Sequence, residues 1–283
     1  MILLKLNAIW LFITLLMAGF VLFLERLICK PFTPNHEIIL QPDDSPPKYY
    51  VTGDKHRHFE NIERFTKMLP TRKKDVLIIL GDAGINYYED ARDEELKRTL
   101  TTLEITLFCI HGNKEKRPQL IDTYQTRKFC GGFVYFEPQY PNILFAVDGE
   151  IYTFNGNKYL VIGGAHSIDK LRCIQEGLPY WENEMPDSKT KERIEQILSF
   201  KNDSVYGILT HTCPLKYLPT ETFRSNQTDS VKHPYEPDID RSVEEWFDKI
   251  EEQVPYHIWY CGHYHLDKAV DRLHIIHHNI IPL

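Results

Sequence analysis

Residues 75–82 read DVLIILGD, and this stretch decides the fold class. Its run of consecutive apolar residues, with no polar alternation, predicts a strand buried on both faces, as in a parallel sheet covered by helices. The same order, an apolar run followed by glycine and a polar residue, recurs in residues 49–54 (YYVTGD) and 105–113 (ITLFCIHGN). Helical spacing lies between these runs, over residues 59–69 and 90–103. Repeating units of about 30 residues fit βαβ architecture and predict an α/β fold.

The rest of the chain continues this alternation. Further strands are predicted at residues 143–147, 150–154, 159–163, 206–210, 256–261 and 273–277, and further helices at 189–200 and 242–252. Asp148-Gly149 and Asn155-Gly156 predict hairpin turns, because both pairs tolerate positive φ. Residues 215–240 are rich in proline, threonine, serine and aspartate and predict one long irregular loop.

The N-terminus has a different composition. Residues 8–24 (AIWLFITLLMAGFVLFL) carry no charge, and a helix of that length, about 25 Å, is near the lower limit for crossing a bilayer. A cleaved secretory signal is the alternative, but the apolar region of such a signal is normally shorter, and no small-residue cleavage site follows residues 8–24. Residues 30–48 are proline-rich and predict an extended tether.

The expected organisation is therefore a membrane anchor at residues 1–29, a tether at 30–48 and one α/β domain at 49–283. We expect a single-pass membrane protein anchored through residues 8–24. The basic residues flanking the apolar segment are too evenly distributed to set its orientation, and we favour the cytoplasmic side for the domain. A soluble cytosolic enzyme with a wrongly assigned start is the third possibility.

Composition and charge exclude several classes of protein. The chain has 33 basic and 40 acidic residues, a net charge of −7, which disfavours nucleic-acid binding by bulk electrostatics. Six scattered cysteines without a CxxC pair exclude a disulfide-stapled miniprotein and a cysteine zinc finger. No protein partner can be inferred from the sequence.

Polar side chains follow the predicted strands at the ends where ligands gather in open α/β sheets. They are Asp54, His56, Asp82, Asn113, His211, His263 and His265. Any one of them alone fits turn chemistry or a packed histidine, but together they are oxygen and imidazole ligands suited to Mn, Fe or Zn. Seven candidates exceed the needs of one tetrahedral zinc, whereas two ions sharing a carboxylate would use them all.

Four of these residues form two pairs whose members are two positions apart in the chain: Asp54 with His56, and His263 with His265. In an extended strand end that spacing aims both side chains at the same side. We therefore expect each pair to bind from an extended backbone.

The motif order D-x-H, GD, GN, H and GHxH resembles that of the calcineurin-like metallophosphoesterases, over roughly residues 49–268. The resemblance implies an α/β four-layer sandwich, two mixed β-sheets face to face flanked by helices, with two divalent or trivalent metal ions (Mn, Fe or Zn) at one edge. It implies a first metal on Asp54, His56 and His265, a second on Asn113, His211 and His263, and Asp82 bridging both. It also implies hydrolysis of phosphomonoesters or phosphodiesters by a metal-bridging hydroxide, without a covalent enzyme intermediate.

The chain departs from the family pattern at two positions. Arg57 replaces the glycine that usually follows the histidine of the first motif, and Lys114 replaces the histidine of GNH[DE]. That histidine normally contacts phosphate and helps to protonate the leaving oxygen, for which lysine is a poor donor at neutral pH. We take Lys114 and Arg57 as candidate catalytic phosphate contacts in an enzyme biased towards leaving groups that need little protonation. The alternative is a degenerate, non-catalytic scaffold that binds metal or a phosphorylated ligand at the membrane.

Overall fold

The computed structural model describes residues 45–200, 205–219 and 239–283. Residues 47–283 form one compact unit. The predicted anchor, most of the predicted tether and residues 220–238 of the predicted loop lie outside the described residues. Within the described residues, no helix combines the length and the apolar composition needed to cross a membrane.

The described strands fall into two mixed sheets. In chain order they are β1 (Tyr49–Thr52), β2 (Val76–Ile79), β3 (Thr106–Cys109), β4 (Gln125–Phe129), β5 (Gly132–Phe136), β6 (Ile143–Ala146), β7 (Ile151–Phe154), β8 (Asn157–Ile162), β9 (Gly207–Thr210), β10 (Ile258–Cys261), β11 (Lys268–Val270), β12 (Leu273–Ile275) and β13 (Ile281–Pro282). The first sheet has the order β13-β1-β2-β3-β6-β5-β4, and the second has the order β11-β12-β10-β9-β8-β7. In the first sheet the four central strands β1, β2, β3 and β6 are parallel. In the second sheet the four central strands β8, β9, β10 and β12 are parallel. Each remaining strand pairs with its neighbour in antiparallel orientation.

Five α-helices lie within the described residues. They are α1 (Glu60–Met68), α2 (Ala91–Thr101), α3 (Lys170–Glu176), α4 (Ser188–Phe200) and α5 (Ser242–Gln253). Single 3₁₀ turns occur at Pro118–Leu120 and Leu215–Tyr217. Asp90 caps α2, since its side chain accepts a hydrogen bond from the backbone N–H of Arg92.

Three apolar clusters hold these elements together. One lies between the sheets and joins residues such as Phe108 of β3 to Tyr152 and Val161 of the second sheet. Another packs α1 and α2 on the first sheet, and the last packs α4 and α5 on the second and includes the fully buried Trp259 of β10. Strands β2, β3, β6 and β9 are buried on both faces, which explains their continuous apolar runs. The predicted α/β fold with two mixed sheets and helices is confirmed.

The predicted hairpin at Asp148-Gly149 is wrong. Strands β6 and β7 on either side of it belong to different sheets, so this connection crosses from one sheet to the other. Gly149 does have a positive φ of 81°, but its N–H donates a hydrogen bond of 2.7 Å to the carbonyl oxygen of Val161 in β8. Positive φ is thus a property of the turn, whereas strand pairing depends on tertiary packing. The other predicted hairpin, at Asn155-Gly156, does join the paired strands β7 and β8.

The sequence analysis also missed elements. The hairpin of β4 and β5 turns at Cys130-Gly131, and β4 (QTRKF) has no buried residue. An edge strand exposed in this way carries no apolar periodicity, so its pattern resembles that of a loop. The short helix α3 was missed for the same reason, since Cys173 is its one buried residue.

Candidate metal centre

The structure brings the seven predicted ligands to one place, because five strand ends meet there. Asp54 and His56 follow β1, Asp82 follows β2, and Asn113 follows β3, all in the first sheet. From the second sheet, His211 follows β9, and His263 and His265 follow β10. The site therefore lies where the carboxyl ends of strands from both sheets converge, as expected for an α/β fold.

Asp54, His56 and His265 form the first part of this cluster. Asp54 Oδ2 lies 3.6 Å from His56 Nε2 and 3.3 Å from His265 Nε2, and the two imidazole nitrogens are 2.9 Å apart. Asp54 is buried, and its Oδ2 has no hydrogen-bond partner. A buried carboxylate oxygen without a partner is costly, and these three donor groups are close enough together to hold a metal ion. The residues therefore fit a cation.

Asp82 joins this group to the other ligands. Its Oδ2 lies 3.8 Å from His56 Nε2 and 3.6 Å from His211 Nε2, so one carboxylate faces both sides of the cluster. His211 Nε2 is 2.8 Å from Asn113 Oδ1, and the rings of His211 and His263 have centroids 4.9 Å apart. Asp54, Asp82 and His211 form a second group of donors that could hold a metal ion. The assignment of each ligand to one of two ions stays a prediction.

Hydrogen bonds to the backbone orient the ligands. His211 Nδ1 lies 2.7 Å from the Leu80 carbonyl oxygen, which accepts from it and leaves Nε2 facing the cluster. Asp54 Oδ1 accepts from the N–H of His263 at 2.8 Å, and Asp82 Oδ1 accepts from the N–H of Lys114 at 2.7 Å. In both Asp54 and Asp82, Oδ1 thus accepts a hydrogen bond from a backbone N–H, while Oδ2 faces the histidines.

The expected extended backbone at the paired ligands is wrong. His56, His263 and His265 have φ of 44°, 68° and 52°, and Asp82 has φ of 47°. After β1, β2 and β10 the side chains converge because the chain turns sharply into the left-handed region, a conformation in which Asp and His are enriched. Such strained backbone clusters at functional sites.

Two glycines allow the strand ends to approach each other. A Cβ on Gly112 would lie 2.0 Å from Asp82 Oδ1, and a Cβ on Gly262 would lie 2.3 Å from Asp54 Oδ1. Neither position has room for a side chain. The glycines of the GN and GHxH motifs are thus required by contact with the two carboxylates.

The pKa values within the cluster reflect its opposed charges. Burial alone would raise the pKa of Asp82, but His211, His56 and the N–H of Lys114 outweigh burial and hold that pKa well below its usual range. Burial lowers the pKa of His211, but Asp82 and Asp54 outweigh it and raise that pKa to about 9. For His263, burial and the neighbouring His211 lower the pKa to about 3. The pocket therefore favours ionised carboxylates and compensating positive charge.

Arg57 is held by the protein at the edge of the site. Its φ is 73°, so the turn adopts the conformation that glycine favours. Its Nη1 donates to the Gly84 carbonyl oxygen at 2.8 Å and to Asp93 Oδ1 at 2.5 Å, and its Nη2 donates to the Arg92 carbonyl oxygen at 2.9 Å. The guanidinium therefore fastens this turn to the start of α2.

Lys114 is also paired. Its Nζ forms an ion pair with Asp169, the residue immediately before α3. The Lys114 side chain is 22% exposed and that of Asp169 is 29% exposed, so the pair lies near the surface of the site. A charge-charge contact thus connects the GNKE loop to α3.

A cleft of about 320 Å³ lies beside the cluster. It is lined by His56, Arg57, Gly84, Tyr87, Tyr88, Lys114, Asp169, Arg172, Cys173 and Leu178. The Tyr87 and Tyr88 rings meet edge to face at 4.8 Å, and Tyr87 also contacts the Trp181 ring at 5.3 Å. Both departures from the family pattern therefore line the same cleft as a predicted metal ligand.

Several residues at the site were missed by sequence reasoning. Asn113 Nδ2 donates to Ser167 Oγ at 2.7 Å, and Asp169 pairs with Lys114. Ser167 and Asp169 both follow Gly163-Gly164 at the end of β8, so the strand-end rule that located the ligands could have found them. His277 lies against His265 with ring centroids 4.8 Å apart; no local signal marks it, because its position depends on the pairing of β10 with β12.

The sequence profile of the calcineurin-like phosphoesterases matches residues 47–267. No curated protein sequence matches the chain significantly.

Among solved structures, the chain is similar to TT1561 of Thermus thermophilus, with 16% identity, a TM-score of 0.43, and coverage of 82% of this chain and 89% of that one. It is also similar to the phosphopantetheinyl hydrolase PptH from Mycobacterium tuberculosis, with 12% identity, a TM-score of 0.39, and coverage of 82% and 88%. A protein of unknown function from Aquifex aeolicus, AQ665, has 14% identity, a TM-score of 0.33, and coverage of 83% and 95%.

The profile match spans most of the chain and contains every predicted metal ligand. The chain belongs to the calcineurin-like phosphoesterase family.

Proposed function

We propose that this protein is a metal-dependent hydrolase of phosphomonoesters or phosphodiesters. The observation that carries the proposal is the convergence of two buried carboxylates, Asp54 and Asp82, with histidines from both sheets. Asp54 Oδ2 is buried and without a hydrogen-bond partner, and a cation would satisfy it.

The proposed ligand assignment is the one that the family resemblance implies. Asp54, His56 and His265 would hold one ion, Asn113, His211 and His263 would hold the other, and Asp82 would serve both. Two such ions supply a nucleophile from water near neutral pH and neutralise phosphate charge. Oxygen and imidazole donors suit Mn, Fe or Zn, and we propose manganese as the first metal to test.

The chain's own residues would position the ester. Ser167 orients the Asn113 amide through a hydrogen bond of 2.7 Å. Lys114 and Arg57 place positive charge on the wall of the cleft, where a phosphate oxygen could displace Asp169 from Lys114. At about 320 Å³ the cleft is at the lower end of the range for small-molecule sites. Tyr87 and Leu178 give it an apolar wall, which suits a small ester with one ring-sized group.

The test is hydrolysis by the purified full-length protein. With Mn²⁺ present, we expect turnover of p-nitrophenyl phosphate or of its bis-ester, and we expect Asp82→Asn to abolish it. Asp122→Asn, at an exposed position, is the matched control and should retain activity. Turnover that is unchanged in Asp82→Asn would contradict the proposed site.

A non-catalytic scaffold is the second candidate. It is favoured by the ion pair between Lys114 and Asp169 and by the hydrogen bonds that hold Arg57, since both cationic groups have protein partners. Tight metal binding without turnover of any phosphate ester would support this function instead.

We also propose that residues 8–24 tether the protein to a membrane, on the basis of their uncharged apolar sequence. Membrane fractionation of cells expressing the full chain tests this. Recovery in the membrane pellet after a high-salt wash is the expected result, and recovery in the supernatant would contradict the tether.

A further inference from the structure

A second cavity, of about 100 Å³, shares no lining residue with the cleft beside the metal ligands. Its lining includes His111, Arg117, Gln119, Asp148, Thr190 and Arg193. His111 and Arg117 lie on either side of Asn113, Lys114 and Glu115 in the chain. The loop that presents Asn113 to the metal centre therefore also lines this cavity.

The inner lining contains buried polar atoms without partners. His111 is 3% exposed, and neither of its ring nitrogens has a hydrogen-bond partner. Arg117 is 7% exposed, and its Nη2 has no partner, although its Nε donates to the Asn183 carbonyl oxygen at 2.6 Å. Buried polar groups are almost always hydrogen-bonded in folded proteins. These atoms therefore lack a hydrogen-bond partner within the protein.

The charges around the cavity favour an anion. Arg117 and Arg193 contribute two positive charges against one negative charge on Asp148. Both oxygens of that carboxylate are already bonded, Oδ1 to the N–H of Gly163 at 2.7 Å and Oδ2 to Arg117 Nη1 at 2.6 Å. The lining residues thus carry a net positive charge. Oxyanions suit guanidinium groups because they accept several charge-assisted hydrogen bonds.

Size and access limit the ligand further. A volume of about 100 Å³ holds about three water molecules and is well below the range of about 300–1,000 Å³ of drug-sized ligands. Gln119 and Arg193 are exposed and Thr190 is half-buried, so the mouth of the cavity faces solvent. A nucleotide would not fit, whereas a small free anion could enter.

We propose that this cavity binds one small oxyanion, inorganic phosphate being the probe of choice. The site is separate from the metal centre and does not depend on catalysis. Phosphate bound here would satisfy the buried His111 and Arg117 and would thereby stabilise the loop that carries Asn113.

Calorimetric titration tests the proposal on the full-length protein. Metal is removed with a chelator so that the metal centre cannot bind phosphate, and ionic strength is held constant with chloride. We expect one phosphate per chain. Arg193→Gln, which removes a donor and a charge at the exposed mouth, and Gln119→Glu, which adds a negative charge there, should each weaken binding about tenfold.

Arg64→Gln, at an exposed position on α1, removes the same charge elsewhere and should bind as the wild type does. Three results would overturn the proposal. They are the absence of saturable binding, unchanged affinity in both cavity variants, and loss of binding in Asp82→Asn, which would place the phosphate at the metal centre.

Discussion

At the scale of single residues, Arg57 combines an unfavourable backbone with favourable side-chain contacts. Its φ of 73° is uncommon for a residue with a Cβ, while its guanidinium bonds Asp93 and two carbonyl oxygens. The side chain thus compensates for the turn, which explains how arginine can occupy a position where the family usually has glycine.

The two contributions can be separated by Arg57→Ala and Arg57→Gly, because both variants lose the guanidinium and only alanine keeps the strained Cβ. We expect Arg57→Gly to be more stable than Arg57→Ala by about 1 kcal/mol. Urea unfolding of both proteins, each without metal, measures the difference. Equal stability, or a more stable alanine variant, would mean that the turn relaxes.

Lys114 is the residue that bears on substrate preference. A lysine paired with Asp169 supplies positive charge but is a poor proton donor at neutral pH. We expect Lys114→His to raise kcat for an alkyl phosphate about tenfold or more, because a general acid assists an alkoxide leaving group most. An aryl phosphate, whose leaving group needs little protonation, should change by less than about threefold.

Paired assays of one alkyl and one aryl phosphate give this ratio directly, and Lys114→Gln is the matched control. It removes the charge without adding a proton donor, and it should not favour the alkyl ester. If Lys114→His helps the alkyl substrate no more than the aryl one, proton donation does not limit this enzyme.

At the scale of elements, Asp75 joins the starts of β1 and β2. Its fully buried carboxylate accepts from the N–H of Lys48 at 2.9 Å and from Arg72 Nη2 at 2.6 Å. Burial raises the pKa of this carboxyl, but the bonds from Arg72 and Lys48 outweigh burial and lower it below its ordinary value. The charged carboxylate is therefore the form that stabilises this end of the sheet.

Because the folded pKa is lowered, the stabilisation from Asp75 is present above the unfolded pKa of about 3.9 and is lost as pH falls through the folded value. We expect Asp75→Asn to lower the free energy of unfolding by about 2 kcal/mol at pH 7. The gap to wild type should shrink below about pH 4. Denaturant unfolding from pH 7 to pH 3 measures this, and a gap independent of pH would contradict it.

At the scale of the whole molecule, the candidate metal centre is built from both sheets. Its ligands follow β1, β2 and β3 of the first sheet and β9 and β10 of the second. A cation held by both sheets would bind the folded chain and not the unfolded one. Metal should therefore stabilise the domain as a unit.

We expect Mn²⁺ at about 1,000 times its dissociation constant to add about 4 kcal/mol to the free energy of unfolding. Thermal unfolding with Mn²⁺ and with chelator measures the effect, and Asp82→Asn should lose most of it. Asp122→Asn should respond as the wild type does. This experiment reports metal binding even if the protein is a scaffold without turnover.

The strand-end polar residues and the apolar runs before them were sufficient to predict the α/β class and the seven residues that meet at the site, and the order of the motifs indicated the family by resemblance. They were sufficient because the carboxyl ends of parallel strands must share an edge. Edge elements such as β4 escaped prediction because they bury nothing and have no periodicity.

What the sequence by itself determined is which residues have metal-binding chemistry and which strands they follow, because both depend on local residue type and on burial of the preceding run. Tertiary structure alone decided that β6 and β7 lie in different sheets. It also decided that the ligands converge through left-handed turns and that Asp169 pairs with Lys114. The physical reason is that these features are contacts between residues distant in the chain, whose geometry is set by how two sheets pack.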